Sequence, residues 1–419
     1  MFKRLTDIPW LQSRIPAFAR FLWTRFNEVN VPQVAASLTF TTLLALVPLF
    51  TVTVVVISAF PMFADISMQF NSFITSVLMP AAGAESVGHY LFEFRDKASN
   101  LTAIGIIIMM VTSLMLIQTI ERTFNQIWRV NQARPLMMRV LVYWALLTLG
   151  PLAIGFGMSM WTLLLKNTLF DLRYPFLSAT VGVLSSVLFI TLLLFLLYRL
   201  VPFRYVPARH AFLGALITAL LLEITRRSFT FYVANFNSYQ LVYGAFAAIP
   251  VFLLWLNLLW MILLSGAVFT AAMSYWQDQA FRRNLGSSGR FDDVLHILLL
   301  LDAAQTEGRS LKIQHFRRHI NMGYDELGDL LEKLAAYGYL AKSGDGWILK
   351  TNAQNIEVAD LFRLFVYSPS QQDTSQVGQT VQNIMEPSLG AMHMTLADFI
   401  ARNQSFHQPD PMPDHAENH

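Results

Sequence analysis

Three charged residues stand inside a long apolar stretch: Glu223, Arg226 and Arg227, directly after the uncharged run 210–222. In a helix rising about 1.5 Å per residue, Glu223 would lie roughly 20 Å from the start of this run, past the middle of a hydrocarbon core about 30 Å thick. Spacings of three and four residues place both arginines on the helix face of Glu223, where ion pairing reduces the free-energy cost of burial.

Two arginines beside one carboxylate allow two interpretations. They predict a cationic site for phosphate or another anionic group, with Glu223 orienting the arginines. Alternatively, Arg226 and Arg227 extend to the outer membrane interface, and Glu223 only neutralises them. The residues by themselves leave both interpretations open.

A second polar cluster overlaps the end of the apolar run 101–120. Its members are Gln118, Glu121, Arg122, Asn125 and Arg129. Helical spacing places all of them except Glu121 along one stripe of the helix surface. The cluster indicates a gate or a lipid-headgroup site at the cytoplasmic mouth, or simply a helix end that leaves the membrane and enters water.

The sequence gives little support for a metal site, a nucleotide-binding site or a catalytic nucleophile. The chain has no cysteine, which excludes disulfides, thiolate metal sites and cysteine nucleophiles. Among the scattered histidines, His315 and His319 have ligand-like spacing, but they flank two arginines rather than carboxylates, which predicts a surface helix. Nucleotide-binding, serine-nucleophile and His-Glu-x-x-His motifs are absent from the sequence. We therefore expect no metal, no cofactor and no enzymatic activity.

Membrane-spanning helices must position these residues. Hydrophobic residues make up 54% of the chain and the mean hydropathy is +0.45, far above a soluble domain. A crossing needs about 20 apolar residues, and six stretches qualify: about 34–60, 101–120, 140–165, 176–197, 210–233 and 243–275. We predict an all-α polytopic membrane domain of six transmembrane helices over 34–280. Small residues such as Ala211, Ala215, Gly266 and Thr270 allow its helices to pack closely.

Arginine and lysine set the predicted orientation. They are frequent before the first span, between spans two and three, and between spans four and five. Because positive residues in short loops stay on the cytoplasmic side, we expect both termini in the cytoplasm. We expect that the lead-in 1–33 is not a cleaved signal peptide. Its amphipathic pattern predicts either a helix on the inner membrane surface or a plain cytoplasmic helix.

A cytoplasmic domain follows at 290–368. Its pattern predicts helices over 291–305, 313–319 and 324–337, then a hairpin around the turn 343–346, an order that resembles a winged-helix-like α+β domain. The third helix is acidic, with Asp325, Glu326, Asp329 and Glu332 against Lys333. Since DNA binding needs the opposite charge, we expect no nucleic acid but a protein partner or self-association. The tail 369–419 is predicted to be largely disordered.

Three segments resemble the YihY/BrkB family of bacterial inner-membrane proteins, also designated UPF0761. They are AASLTFTTLLALVPLF from Ala35, ERTFNQIWRV from Glu121 and LVYGAFAAIPVFLLWLNLLWMILLSGAVFTAAM from Leu241. The resemblance covers the whole six-span region and implies an integral inner-membrane protein, some of whose relatives are linked to envelope or lipopolysaccharide phenotypes. It supplies no catalytic residues.

The family has also carried the label ribonuclease BN. Such a nuclease would need clustered His and Asp ligands, which these residues do not provide. Intramembrane charges favour envelope-lipid or anionic-solute transport or homeostasis, in contact with membrane lipids. The alternative is a membrane scaffold or assembly partner that acts through the cytoplasmic domain.

Overall fold

The computed structural model describes residues 14–58, 103–130, parts of 134–143, 175–235, 248–276, 280, 287–367 and 376–402. The chain divides into two compact units, Met1–Ser274 and Tyr275–His419. The connection 61–100 between the first two predicted spans, which the predicted orientation places outside the membrane, and nearly all of the predicted third span lie outside the described residues.

Long helices make up the described part of the first unit. They are α1 (Arg14–Glu28), α2 (Val31–Ser58), α3 (Ala103–Ile127), α4 (Pro175–Leu200), α5 (Ala208–Asn235) and α6 (Ala248–Trp276). Apart from α1, which lies within the predicted lead-in, these helices occupy five of the six predicted spans. Helix α3 continues seven residues past the predicted end of the second span, so Gln118, Glu121, Arg122 and Asn125 are helical, whereas Arg129 follows the helix.

Three segments among the described residues are long and apolar enough to cross a membrane: Val183–Leu200, Ala208–Asn235 and Ile249–Trp276. The apolar segment Val31–Ala45 is shorter. The chain is therefore mostly helical, with helices that suit a bilayer.

Small residues let these helices approach closely. Helix α4 packs along α5, and α2 packs along α3. Ala211, Ala215 and Ala219 of α5 are fully buried in the core of the first unit. Since apolar lipid gives helices little hydrophobic reason to associate, close van der Waals packing of this kind must hold them together.

The second unit is a smaller α+β structure. Its elements are α7 (Ser287–Thr306), α8 (Ile313–His319), α9 (Tyr324–Ala336), β1 (Leu340–Ser343), β2 (Gly346–Leu349), a 3-10 helix (Ala353–Asn355), α10 (Val358–Phe365), α11 (Gln376–Ala391) and α12 (Leu396–Arg402). Strands β1 and β2 pair antiparallel, with Ser343 opposite Gly346. Gly344 has φ +57° in the two-residue turn between them, a conformation that favours glycine. The predicted hairpin is confirmed.

The hairpin packs onto the three preceding helices. Leu311, just before α8, exchanges backbone hydrogen bonds with Trp347 of β2 at 3.0 and 2.8 Å. Leu298, Phe316 and Leu331, one from each helix, are fully buried in a common core. The helices and hairpin therefore form one packed structure.

The prediction of a largely disordered tail is wrong for 376–402, which forms α11 and α12. Leu396 is fully buried, and its N–H donates to the Ile356 carbonyl at 2.8 Å. Thr395 and Asp398 cap the start of α12 through reciprocal hydrogen bonds. The prediction relied on the polar composition of the tail. One buried apolar residue, Leu396, and the cap formed by Thr395 and Asp398 are enough to hold this segment in place. Residues 403–419 lie outside the described residues.

Candidate functional site

Glu223, Arg226 and Arg227 form a connected ion-pair cluster on α5. Arg226 donates from Nε to Glu223 Oε2 at 3.0 Å and from Nη2 to Oε1 at 2.9 Å. Arg227 Nε donates to the same Oε1 at 2.7 Å. The predicted grouping on one helix face therefore holds, and the carboxylate orients both guanidinium groups.

Exposure differs sharply within this cluster. The side chain of Glu223 is 11% exposed, whereas those of Arg226 and Arg227 are 37% and 59% exposed. The cluster carries a net charge of +1 if all three groups are ionised, with its positive part outermost. The two terminal nitrogens of Arg227 take no part in the pairing. These donors are suited to binding an anionic oxygen group.

The second polar cluster, from Gln118 to Arg129, is arranged differently from the predicted stripe. Glu121, which spacing puts off the stripe, is buried and receives a hydrogen bond from the Tyr143 hydroxyl. Arg134 Nε lies 3.6 Å from Glu121 Oε1, and both side chains are about nine-tenths buried. Gln118 is half-buried and Arg122 is exposed, and neither joins these contacts.

Arg134 and Asn125 connect this cluster to the end of α4. Arg134 Nη2 donates to the carbonyls of Leu200 and Val201, both at 3.1 Å. The Asn125 side-chain oxygen accepts from the Phe203 backbone N–H at 3.0 Å. The loop after α3 and the segment after α4 are therefore held together by polar contacts that sequence spacing could not reveal.

Arg129 connects the same end of α3 to α1. It has φ +51°, and the Val130 N–H donates back to the Asn125 carbonyl at 2.8 Å, which closes the helix in a Schellman arrangement. Glycine is the usual residue at such a position. Here the residue is Arg129, and its side chain donates a hydrogen bond to Glu28 at 3.1 Å. Glu28 also pairs with the buried Arg25 at 3.5 Å.

Polar side chains also join α2 to α6. Asn257 donates to Thr39 Oγ1 at 3.5 Å, and Trp260 Nε1 donates to Thr42 Oγ1 at 3.0 Å. Asn257 was not among the predicted site residues, although an amide within an apolar run is a signal for an interhelical hydrogen bond.

The second unit gives little sign of a metal or nucleic-acid site. His315 and His319 lie side by side on α8, with ring centroids 4.9 Å apart and ring planes tilted by 39°. Within the described ranges, no group of three His, Asp or Glu side chains could hold a metal ion. The acidic surface predicted for α9 is smaller than its sequence suggests, because Asp325 and Glu332 are buried and Asp329 pairs with Lys333.

Known proteins are similar to this chain over most of its length, including parts of both units. A family model described as Virulence factor BrkB matches residues 22–289. A UPF0761 membrane protein of Neisseria meningitidis serogroup B is 55% identical over 390 residues, which cover 93% of this chain and 96% of the relative. UPF0761 membrane proteins of Chromobacterium violaceum and Nitrosospira multiformis are 46% and 37% identical, covering 92% and 84% of this chain and 93% and 83% of the relatives. No solved structure matches.

Proposed function

Because this chain belongs to the BrkB virulence-factor family of membrane proteins, we propose that it is a bacterial inner-membrane protein that moves or binds anionic envelope lipids or anionic solutes. The proposal includes six transmembrane helices, cytoplasmic termini and a winged-helix-like cytoplasmic domain. The names of the relatives state no reaction and no ligand, so the residues must carry the functional argument.

The single observation behind the proposal is the Glu223 cluster. Its carboxylate is 11% exposed and bonds to both arginines, yet the cluster keeps one excess positive charge. Glu223 lies 15 residues into α5, roughly 22 Å along the helix at 1.5 Å per residue. An excess charge at that depth is unfavourable in lipid, and an anionic group would neutralise it.

Reconstitution into liposomes tests this proposal. Fluorescent phosphatidylglycerol in protein-free liposomes is quenched by external dithionite only in the outer leaflet. We expect the full chain to expose inner-leaflet lipid to the quencher, and the double variant Arg226→Gln, Arg227→Gln to abolish this effect. Arg402→Gln, at an exposed position of α12, is the matched control.

A second arm uses labelled phosphate to test an anionic solute. If the wild-type chain moves neither phosphatidylglycerol nor phosphate, transport is contradicted. The scaffold alternative predicts a different pattern in cells: truncation after Gly289 abolishes complementation of a deletion strain, while the charge variants complement normally.

The proposed orientation has its own test, because the chain contains no cysteine and single cysteines can be introduced. In spheroplasts, a membrane-impermeant maleimide is expected to label Ser86→Cys directly. It should label Ser343→Cys in the hairpin only after the membrane is permeabilised. The reverse pattern would contradict cytoplasmic termini.

A further inference from the structure

The polar residues around Glu121 carry more positive than negative charge. Glu121 supplies one carboxylate, while Arg134 and Arg139 supply two guanidinium groups, and all three act electrostatically on the Tyr143 hydroxyl. Because arginine does not lose its proton in proteins, this largely buried group keeps a net charge of +1 when Glu121 is ionised.

Arg134 is already committed to protein acceptors. Its Nη2 donates to two backbone carbonyls, its Nε faces Glu121 at 3.6 Å, and its guanidinium lies over the Phe203 ring at 5.3 Å. These contacts fix its position. Arg134 therefore provides a positive charge at a fixed position in the group and is not a mobile surface side chain.

Arg139 differs from Arg134 in this respect. The Nε atoms of both arginines are buried without a hydrogen-bond partner, but Arg139, unlike Arg134, also has no backbone carbonyl that accepts from its side chain within the part of the chain that the structure describes. Tyr143, one helical turn further on, has its hydroxyl bonded to Glu121. A buried charged donor without an acceptor is unfavourable, and a bound anion would supply the missing acceptor.

We propose that Arg139, beside Arg134 and Tyr143, binds a phosphate group, supplied either by an anionic lipid headgroup or by free phosphate. A planar guanidinium matches phosphate oxygens well, and arginine-rich pockets at the cytoplasmic side of membrane helices suit anionic headgroups. The inference shares with the proposed function the premise of an anionic ligand, but its residues lie outside α5.

Binding to the purified full chain tests the inference. Native mass spectrometry in a neutral detergent would follow titrations with dioleoyl phosphatidic acid, with inorganic phosphate and, as a neutral reference, with dioleoyl phosphatidylcholine. All variants would be made in the Arg226→Gln, Arg227→Gln background, so that the Glu223 cluster does not contribute. Thermal unfolding of each variant checks that it remains folded.

The expected result is that Arg139→Gln weakens phosphatidic acid binding about tenfold or more, as for loss of a charged hydrogen bond. Arg139→Lys should bind with intermediate affinity, and Arg402→Gln should bind as the background does. If Arg139→Gln fails to fold, the intermediate affinity of Arg139→Lys carries the test.

Two results overturn the inference: unchanged phosphatidic acid binding in folded Arg139 variants, or equal binding of phosphatidylcholine. If inorganic phosphate displaces bound phosphatidic acid, the site is assigned to free phosphate. If inorganic phosphate does not displace the lipid, the site is assigned to the lipid headgroup. If the Arg226→Gln, Arg227→Gln variant with Arg139 intact already fails to bind phosphatidic acid, this second site is contradicted, and the proposed function is not.

Discussion

Gly214 lies so close to Thr270 that a Cβ atom added at position 214 would overlap the threonine hydroxyl. Gly266 and Thr218 repeat the arrangement in reverse, so α5 and α6 each present glycine to the threonine of the other helix. The Tyr198 hydroxyl of α4 donates to the Leu263 carbonyl at 2.8 Å beside this contact. Three helices therefore meet where there is no room for another methyl group.

Gly266→Ala should destabilise the first unit by about 1–3 kcal/mol, the usual effect of overpacking. The new methyl group would overlap Thr218 and lie 2.6 Å from the Tyr198 hydroxyl. Unfolding in a detergent and dodecyl sulfate mixture measures the change. Gly390→Ala is the control, because its methyl group meets nothing within 4 Å and alanine favours a helix. Equal stability of the two variants would contradict the close contact.

Leu396→Ala should destabilise the second unit by about 2–5 kcal/mol, because Leu396 is fully buried. Amide hydrogen exchange of the full chain should show faster exchange throughout α12. Ile384→Ala in α11 is the control, since Ile384 is 66% exposed. Rapid exchange of 396–402 in the wild-type chain would instead support the disordered tail that its composition predicts.

Local patterns made much of the fold predictable. Apolar runs located the helices because membrane crossing depends on length and hydropathy alone. The Glu223 cluster was also predictable, since its three residues lie within two turns of one helix. The hairpin followed from its turn residues. Each of these features depends on neighbours in sequence.

Contacts between distant segments could not be predicted in the same way. Glu121 pairs with Tyr143 and Arg134, which follow it by 22 and 13 positions and lie outside its helix. Helical spacing therefore predicted that the exposed Arg122, and not the buried Glu121, belongs to the polar stripe. The tail was mispredicted for a related reason: the partner of Leu396 is Ile356, 40 residues earlier. Composition carries no information about such a contact.

His315→Gln should reduce the pH dependence of stability in the second unit. Partial burial lowers the pKa of His315, and the nearby positive charges of His319, Arg318 and Arg309 lower it further. As pH falls below the ordinary histidine value of about 6.5, the unfolded chain therefore binds a proton before the folded chain does. The stability is complete above that pH and declines below it.

Pulse proteolysis of the full chain in urea, at about pH 7.5 and about pH 5.5, measures this difference around the ordinary histidine pKa. The wild-type second unit should lose more stability at the lower pH than His315→Gln does. His296→Gln, at an exposed position of α7, controls for the loss of an imidazole. A pH dependence that survives His315→Gln unchanged would assign it to other groups.

Substitutions in the Glu223 cluster should rank by the contacts they remove. Glu223→Gln should reduce membrane abundance most, because it leaves two arginines without their counter-ion. Arg226→Gln removes two hydrogen bonds and should come next, and Arg227→Gln removes one bond from a side chain that is 59% exposed. An unpaired charge in the membrane costs about 2.5–3.5 kcal/mol, which quantitative immunoblotting of membranes would detect as lower abundance.

The triple variant Glu223→Gln, Arg226→Gln, Arg227→Gln separates stability from function. With no charge left to bury, it should be at least as abundant as Glu223→Gln, because neutral side chains avoid the cost of an unpaired ion. If it is abundant but moves no phosphatidylglycerol in liposomes, the arginines serve ligand binding. If it is abundant and fully active, the cluster only balances charge in α5, and the anionic site must be sought at Arg139.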